Sequence, residues 1–142
     1  MFKPLTLLLF MLFLMACSSV DEPVADKDIP PYKPIIFGGV ATDAEYGYKP
    51  NKAIKLGSFV RGNNYKGIHY LYFDSLTGPN GEKVSVRRLG TCCPFDDLSM
   101  SFGGALLDRF ELSYEGIEKP VIIYVDLYKY NQPMAPKGFN FL

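Results

Sequence analysis

The stretch of sequence that decides the fold is residues 106–130, LLDRFELSYEGIEKPVIIYVDLYKY. Its first half alternates apolar and polar side chains, which is the period-two pattern of a strand with one buried face. Leu107 and Asp108 break the alternation, because each carries the kind of side chain that the other position requires. Residues 115–120 are turn-rich and lead into a second apolar run, so the stretch predicts an antiparallel β-hairpin. Its core-facing side chains are expected to be Leu106, Phe110, Leu112, Tyr114, Val121, Ile123, Val125 and Leu127.

The outward face of the second strand is unusually aromatic. It carries Tyr124, Tyr128 and Tyr130, and an upstream aromatic segment adds Tyr70 and Tyr72. Exposed aromatic rings on a sheet can stack on sugar rings or peptides. The alternative is a second packing layer, in which a helix or loop covers the rings. We therefore treat these tyrosines as a candidate binding face.

A second hairpin is predicted upstream of the first. Residues 70–76, YLYFDSL, are aromatic and typical of a strand, and residues 77–81 end in Asn-Gly, a strong hairpin-turn signal. Residues 83–89 then alternate and are expected to pair with 70–76. Helix signals are weak. Residues 35–142 are therefore predicted to form one mainly β domain, with α+β as the other option: a single antiparallel sheet of about five strands with two hairpins and at most one or two short helices.

The N-terminus has the pattern of an exported lipoprotein, since it reads MFKPLTLLLFMLFLMAC. Lys3 precedes an apolar run of about 11 residues, which suits a signal peptide and is shorter than the roughly 20 residues of a membrane-spanning helix. The run ends in Ala16-Cys17, which resembles the lipobox of bacterial lipoproteins. We predict a signal peptide at residues 1–16 and a covalent lipid on Cys17, which the resemblance implies to be a diacylglyceryl group with a further acyl chain such as palmitate. By resemblance to known sorting patterns, Ser18 implies transfer to the outer membrane, with the domain facing the periplasm.

The segment after the predicted lipid site, residues 17–34, is rich in Pro, Asp and Lys and has no apolar periodicity. Such a segment cannot bury enough surface to offset its ordering entropy. We therefore predict a flexible tether that holds the domain close to the membrane.

Charge gives no sign of a strongly charged partner. The 142 residues balance 15 Lys and Arg against 15 Asp and Glu, so we expect no binding to nucleic acid. No cofactor is expected apart from the covalent lipid. Among neighbouring charges, Asp96 and Asp97 are expected to be solvated or to cap a helical turn, whereas Arg87 and Arg88 should project to opposite faces of a strand.

Cys92 and Cys93 are adjacent, and three outcomes remain open for them. Two free thiols would pack as small hydrophobic groups. A disulfide between neighbours would be strained, since their Cα atoms lie about 3.8 Å apart, below the usual range of roughly 4.4–6.8 Å. A metal or catalytic thiol site would need His69, the only histidine, as a third soft ligand. Pro94 favours an extended backbone at Cys93.

Four longer segments carry a resemblance. They are YGYKPNKAIKLG at 46–57, LTGPNGEKVSVRRLGTCCPF at 76–95, LLDRFELSYEG at 106–116, and PVIIYVDLYKY with APKGF within 120–139. Together they look like a group of small bacterial envelope lipoproteins of unknown function, and the Gly-Pro-Asn-Gly turn followed by Cys-Cys-Pro-Phe is the sharpest element. Some relatives carry the name 2-dehydro-3-deoxyphosphooctonate aldolase. We do not expect that activity, because enzymes properly so named resemble (β/α)₈ barrels of roughly 200 residues or more.

These observations predict a lipid-anchored, non-catalytic domain that binds an envelope protein or glycan, or serves a structural role. The alternative is a thiol-dependent role for Cys92 and Cys93, in redox sensing or soft-metal capture.

Overall fold

The computed structural model describes residues 36–57, 68–98 and 103–142. The predicted signal peptide, lipid site and tether, residues 1–34, lie outside the described residues. The elements are a 3₁₀ turn Pro50–Lys52, β1 Ile54–Lys55, α1 Ile68–Asp74, β2 Leu76–Thr77, β3 Ser85–Asp96, β4 Gly104–Ser113, β5 Val121–Asp126 and β6 Asn140–Phe141. The expectation of a mainly β fold with few helices is confirmed.

The main sheet has four strands in the order β1-β5-β4-β3. β4 pairs antiparallel with β3 and β5, whereas β1 lies parallel to β5. The hairpin predicted from residues 106–130 is confirmed, and it places Phe110 opposite Ile123. β2 and β6 form a separate two-stranded antiparallel sheet.

The return strand of this hairpin is shorter than the prediction, because β5 ends at Asp126. The Asp126 Oδ1 atom accepts the backbone N–H groups of Tyr128 and Lys129, at 2.8 and 3.0 Å. An Asp side chain that bonds the backbone two and three residues ahead closes a turn and ends the strand. Tyr128 and Tyr130 therefore lie beyond β5.

The predicted strand at residues 70–76 is wrong, because α1 occupies most of this segment. The side chains of His69, Tyr72, Phe73 and Leu76 are spaced at i, i+3, i+4 and i+7, which is the stripe of an amphipathic helix. Tyr72 and Phe73 are buried in the core. The aromatic content suggested a strand, but the helical spacing brings these large rings to a single face, where they pack on the sheet.

The Asn-Gly turn predicted after this segment is present, although its strands pair differently. The Gly78 N–H donates to the Glu82 carbonyl at 2.8 Å, and the Gly81 N–H donates to the Gly78 carbonyl at 3.1 Å. Thr77 and Lys83 form an isolated antiparallel bridge across the turn. Since 70–74 is helical, β3 takes β4 as its partner instead.

The core lies between α1 and one face of the main sheet, which we call the core face. The rings of Phe73 in α1 and Phe110 in β4 have centroids 4.7 Å apart. The Tyr72 hydroxyl donates to the Met134 carbonyl at 2.7 Å, which ties the helix to the C-terminal segment. The buried cluster comprises Ile54, Leu56, Tyr72, Phe73, Leu76, Phe110, Leu112, Ile123, Val125, Leu127, Ala135 and Phe139.

Candidate functional site: a groove across the outer face of the sheet

The opposite side of the main sheet, its outer face, carries a groove to which every strand contributes. The contributing residues are Lys55 of β1, Asp126 of β5, Leu107 of β4 and Phe95 of β3, and we call this hollow of about 200 Å³ the cross-sheet groove. Pro50, Asn51 and Ala53 of the 3₁₀ turn and Lys129 complete its walls. Successive side chains of a strand point to opposite faces of the sheet. These strand residues alternate with residues of the core face, so they point to the outer face.

Leu107, one of the two residues that break the sequence alternation, forms the floor of the groove. Its side chain is 3% exposed although it belongs to the outer face. Residues of the 3₁₀ turn and Phe95 line the same hollow, so this apolar residue of the outer face lies in a groove and not on an open surface. The broken alternation at Leu107 was therefore a sequence signal for the groove. From the sequence alone, we did not assign a site to this position.

Asp108, the other residue that breaks the alternation, lies on the core face and is held by Arg88. The guanidinium donates through Nη2 to Oδ1 at 2.9 Å and through Nε to Oδ2 at 3.2 Å. This hydrogen-bonded carboxylate raises the pKa of Arg88 above its ordinary value. Arg87 pairs instead with Glu111 at 2.9 Å. The expectation that the two arginines project to opposite faces is thus confirmed.

Leu106 was predicted to face the core, but its side chain is 47% exposed. The reason is the unequal length of the strands. β5 pairs with β4 only from Asp108 onward, so Leu106 lies beyond the end of its neighbour. There β4 is flanked by β3 alone, with Pro94 opposite Leu106.

Two bulges in β3 decide which of its side chains reach the groove. The pairing with β4 shifts between Arg88 and Gly90 and again between Cys92 and Pro94. Each extra residue inverts the alternation of the strand, since successive side chains point to opposite faces. The second bulge leaves Cys93 without a register partner and turns Phe95 toward the outer face.

Cys92 and Cys93 are joined by a disulfide, which is one of the three outcomes left open by the sequence. Cys92 lies opposite Leu107, so the bond sits beside the floor of the groove. Both residues are half-buried. The backbone of Cys93 has φ +52°, a left-handed conformation that non-glycine residues rarely adopt. The expectation that Pro94 keeps Cys93 extended is therefore wrong, because the bulge imposes the local geometry.

His69 does not share a site with the cysteines. It lies on α1, where its ring packs on the Phe110 ring at a centroid distance of 5.3 Å on the core face. Burial lowers the pKa of His69, and the Arg88 charge adds to this, while Asp108 opposes it. Within residues 36–57, 68–98 and 103–142, no three His, Cys, Asp or Glu side chains converge as a metal site.

The candidate tyrosines are distributed over the molecule rather than along one stripe. Tyr70 and Tyr72 belong to α1, and Tyr72 is fully buried, so burial raises its pKa well above the ordinary value. Tyr124 is half-buried on β5, and Tyr130 is 43% exposed in a bridge with Leu56. Tyr128 is the member that adjoins the groove, since its ring centroid lies 6.4 Å from that of Phe95.

The two lysines that line the groove differ, because in the described part of the chain only one of them takes part in an ion pair. The Lys129 ammonium lies 3.4 Å from the Asp97 carboxylate and 5.5 Å from the centroid of the Phe95 ring. Asp97 is only 6% exposed, so the expectation of a solvated loop is wrong for it. The ion pair and a hydrogen bond from its N–H to the Gly103 carbonyl hold it in place. Lys55, by contrast, has no ion pair among the residues that the structure describes.

A second, smaller hollow of about 150 Å³ adjoins the cross-sheet groove. The two share Asn51, Ala53 and Lys55 as lining residues. The smaller one adds the Asn131 amide and the half-buried ring of Tyr46. Lys55 therefore stands at the junction of the two hollows, and the smaller hollow also carries Lys52, which pairs with Asp43 at 2.8 Å.

The chain matches no family model, no curated protein and no solved structure. The resemblance to envelope lipoproteins therefore stays a prediction from the quoted segments, and the site is argued from its geometry. In the part of the chain that the structure describes, no helix has the length and apolar character needed to cross a bilayer.

Proposed function

We propose that the chain is a lipid-anchored, non-catalytic domain of the bacterial cell envelope that binds an envelope protein or glycan through the cross-sheet groove. The lipobox-like ending of the N-terminal apolar run supports the anchor. The observation that carries the binding role is the groove itself, to which all four strands of the main sheet contribute a side chain. A site built on strands is preorganised, which reduces the entropy lost on binding.

The side chains of the groove suit holding a ligand better than converting one. Lys55 offers a cation, and Leu107 and Phe95 offer apolar contact. Asp126 is the carboxylate of the groove, and its Oδ1 atom is already engaged by two backbone N–H groups. We therefore propose a binding site and assign no catalytic step to it.

Amine labelling in native membranes tests this proposal. The full chain is treated with an amine-specific acylating reagent, once in isolated cell membranes and once after purification in detergent, and the modified lysines are quantified by mass spectrometry. If the groove is occupied in the envelope, Lys55 reacts more slowly in membranes than in detergent. Lys83 is the matched control, because it is exposed and lies outside the groove. Equal changes at Lys55 and Lys83 would refute the proposal.

A second candidate function, a thiol–disulfide response, is favoured by the bond between Cys92 and Cys93. Neighbouring residues hold their Cα atoms closer than ordinary disulfides do, and such bonds are reduced more easily. An external dithiol would supply two electrons and two protons, giving two cysteine thiols and an oxidised reagent. The test is alkylation with mass spectrometry across a series of dithiol concentrations. Thiols already free in the protein as isolated from the envelope would contradict this role.

A further inference from the structure

We propose that the occupant of the cross-sheet groove is a sugar ring bearing one carboxylate, whose negative charge is held by Lys55. This inference rests on the proposed binding function and names its ligand class. It is carried by the charge, the size and the lining of the groove.

Charge selects a ligand with a single negative group. Of the two lysines that line the groove, Lys129 is already neutralised by Asp97 at 3.4 Å. Lys55 has no such partner among the described residues, although Asp126 is its register neighbour across the β1–β5 pair. A carboxylate of the ligand would give Lys55 the ion pair that it lacks within the described residues, whereas a second negative group on the ligand would meet the carboxylate of Asp126. Charge-assisted hydrogen bonds of this kind are about twice as strong as neutral ones.

Size and lining select a sugar ring as the body of the ligand. Pockets for drug-sized molecules begin at about 300 Å³, so a hollow of about 200 Å³ suits one ring. The half-buried Phe95 provides an apolar surface on which the C–H face of a sugar can lie, whereas Leu107 beside it is almost fully buried. Asn51, which lines both hollows, and Asn131, which lines the smaller one, offer amide donors and acceptors to hydroxyl or acetamido groups.

A titration with matched sugars tests the inference. The full chain, labelled with ¹⁵N and purified in detergent, is titrated with N-acetylmuramic acid, with the neutral N-acetylglucosamine and with lactate. We expect saturable shifts of the Lys55, Leu107 and Phe95 amides with the carboxylated sugar. Affinity for the neutral sugar and for lactate should be lower by about tenfold or more, because each lacks one of the two recognised parts.

Substitution of the lysine provides the second arm. Lys55→Gln should weaken binding of N-acetylmuramic acid by about tenfold, whereas Lys83→Gln should leave it unchanged. Equal affinity for the three compounds, shifts away from the groove, or an unaffected Lys55→Gln variant would overturn the inference. Protection of Lys55 in membranes without sugar binding would overturn the ligand class and leave the binding function standing.

Discussion

Asp108 occupies a position where the alternation of β4 requires an apolar side chain, and Arg88 makes this tolerable. A carboxylate on the core face loses its hydration, and two hydrogen bonds from one guanidinium replace it. Leu107 next to it is the reverse case, an apolar residue on the outer face that the groove walls cover. The surroundings thus account for both breaks in the alternation of β4: Arg88 binds the Asp108 carboxylate, and Leu107 lies in the groove.

The first prediction concerns this ion pair. Arg88→Met should destabilise the fold by about 1–3 kcal/mol in urea unfolding, because it leaves the Asp108 carboxylate without its donors. Adding Asp108→Leu to the same chain should recover most of the loss, since it removes the buried carboxylate that Arg88→Met leaves without donors. Arg87→Met is the control, because its partner Glu111 lies on the exposed side, and its effect should stay below about 1 kcal/mol. A single Arg88→Met variant as stable as the control would contradict the assignment.

A second prediction follows from the lowered pKa of His69. In the window below the ordinary value of 6.5, the unfolded chain binds the proton more readily than the folded one. Stability should therefore be complete above that value and decline as the pH falls toward the folded pKa. The measurement is urea unfolding at pH values between about 7.5 and 5, compared with His69→Phe, which keeps the ring and cannot titrate. Identical pH profiles for the two proteins would show that His69 is not the group responsible.

At the scale of the elements, the sequence predicts strands well where one face is apolar, and poorly where two patterns overlap. The hairpin of β4 and β5 follows from alternation alone. The strand predicted at residues 70–76 is wrong, because aromatic residues favour strands while their 3.6-residue spacing here specifies a helix. The bulges at Leu89 and Cys93 could not be predicted, since an extra residue depends on the partner strand.

The third prediction tests where the packed part of β4 ends. Phe110→Ala should cost about 3–5 kcal/mol in the free energy of unfolding, because its ring is fully buried against α1. Leu106→Ala is the control on the same face of the same strand, and it should cost less than about 1 kcal/mol, because it lies past the end of β5. Equal losses would mean that the core extends to Leu106.

At the scale of the whole molecule, the proposed lipid anchor belongs to the N-terminal segment, and the groove lies on the outer face of the β domain. The fold class was predictable from alternation, whereas the groove was not, because Lys55, Phe95 and Asp126 come together only through the order of the strands. The tyrosines that looked like one face are divided between α1 and the segment around β5. In the proposed function, binding and membrane attachment thus depend on separate parts of the chain.

The central claim, that lipid on Cys17 holds this domain at the membrane, is tested most directly by intact-mass spectrometry after detergent phase separation of bacterial membranes. The account predicts a protein in the detergent phase that lacks residues 1–16 and carries diacylglyceryl and acyl groups on Cys17, with both lost in Cys17→Ser. An unmodified chain that retains Met1 and partitions into the aqueous phase would contradict it.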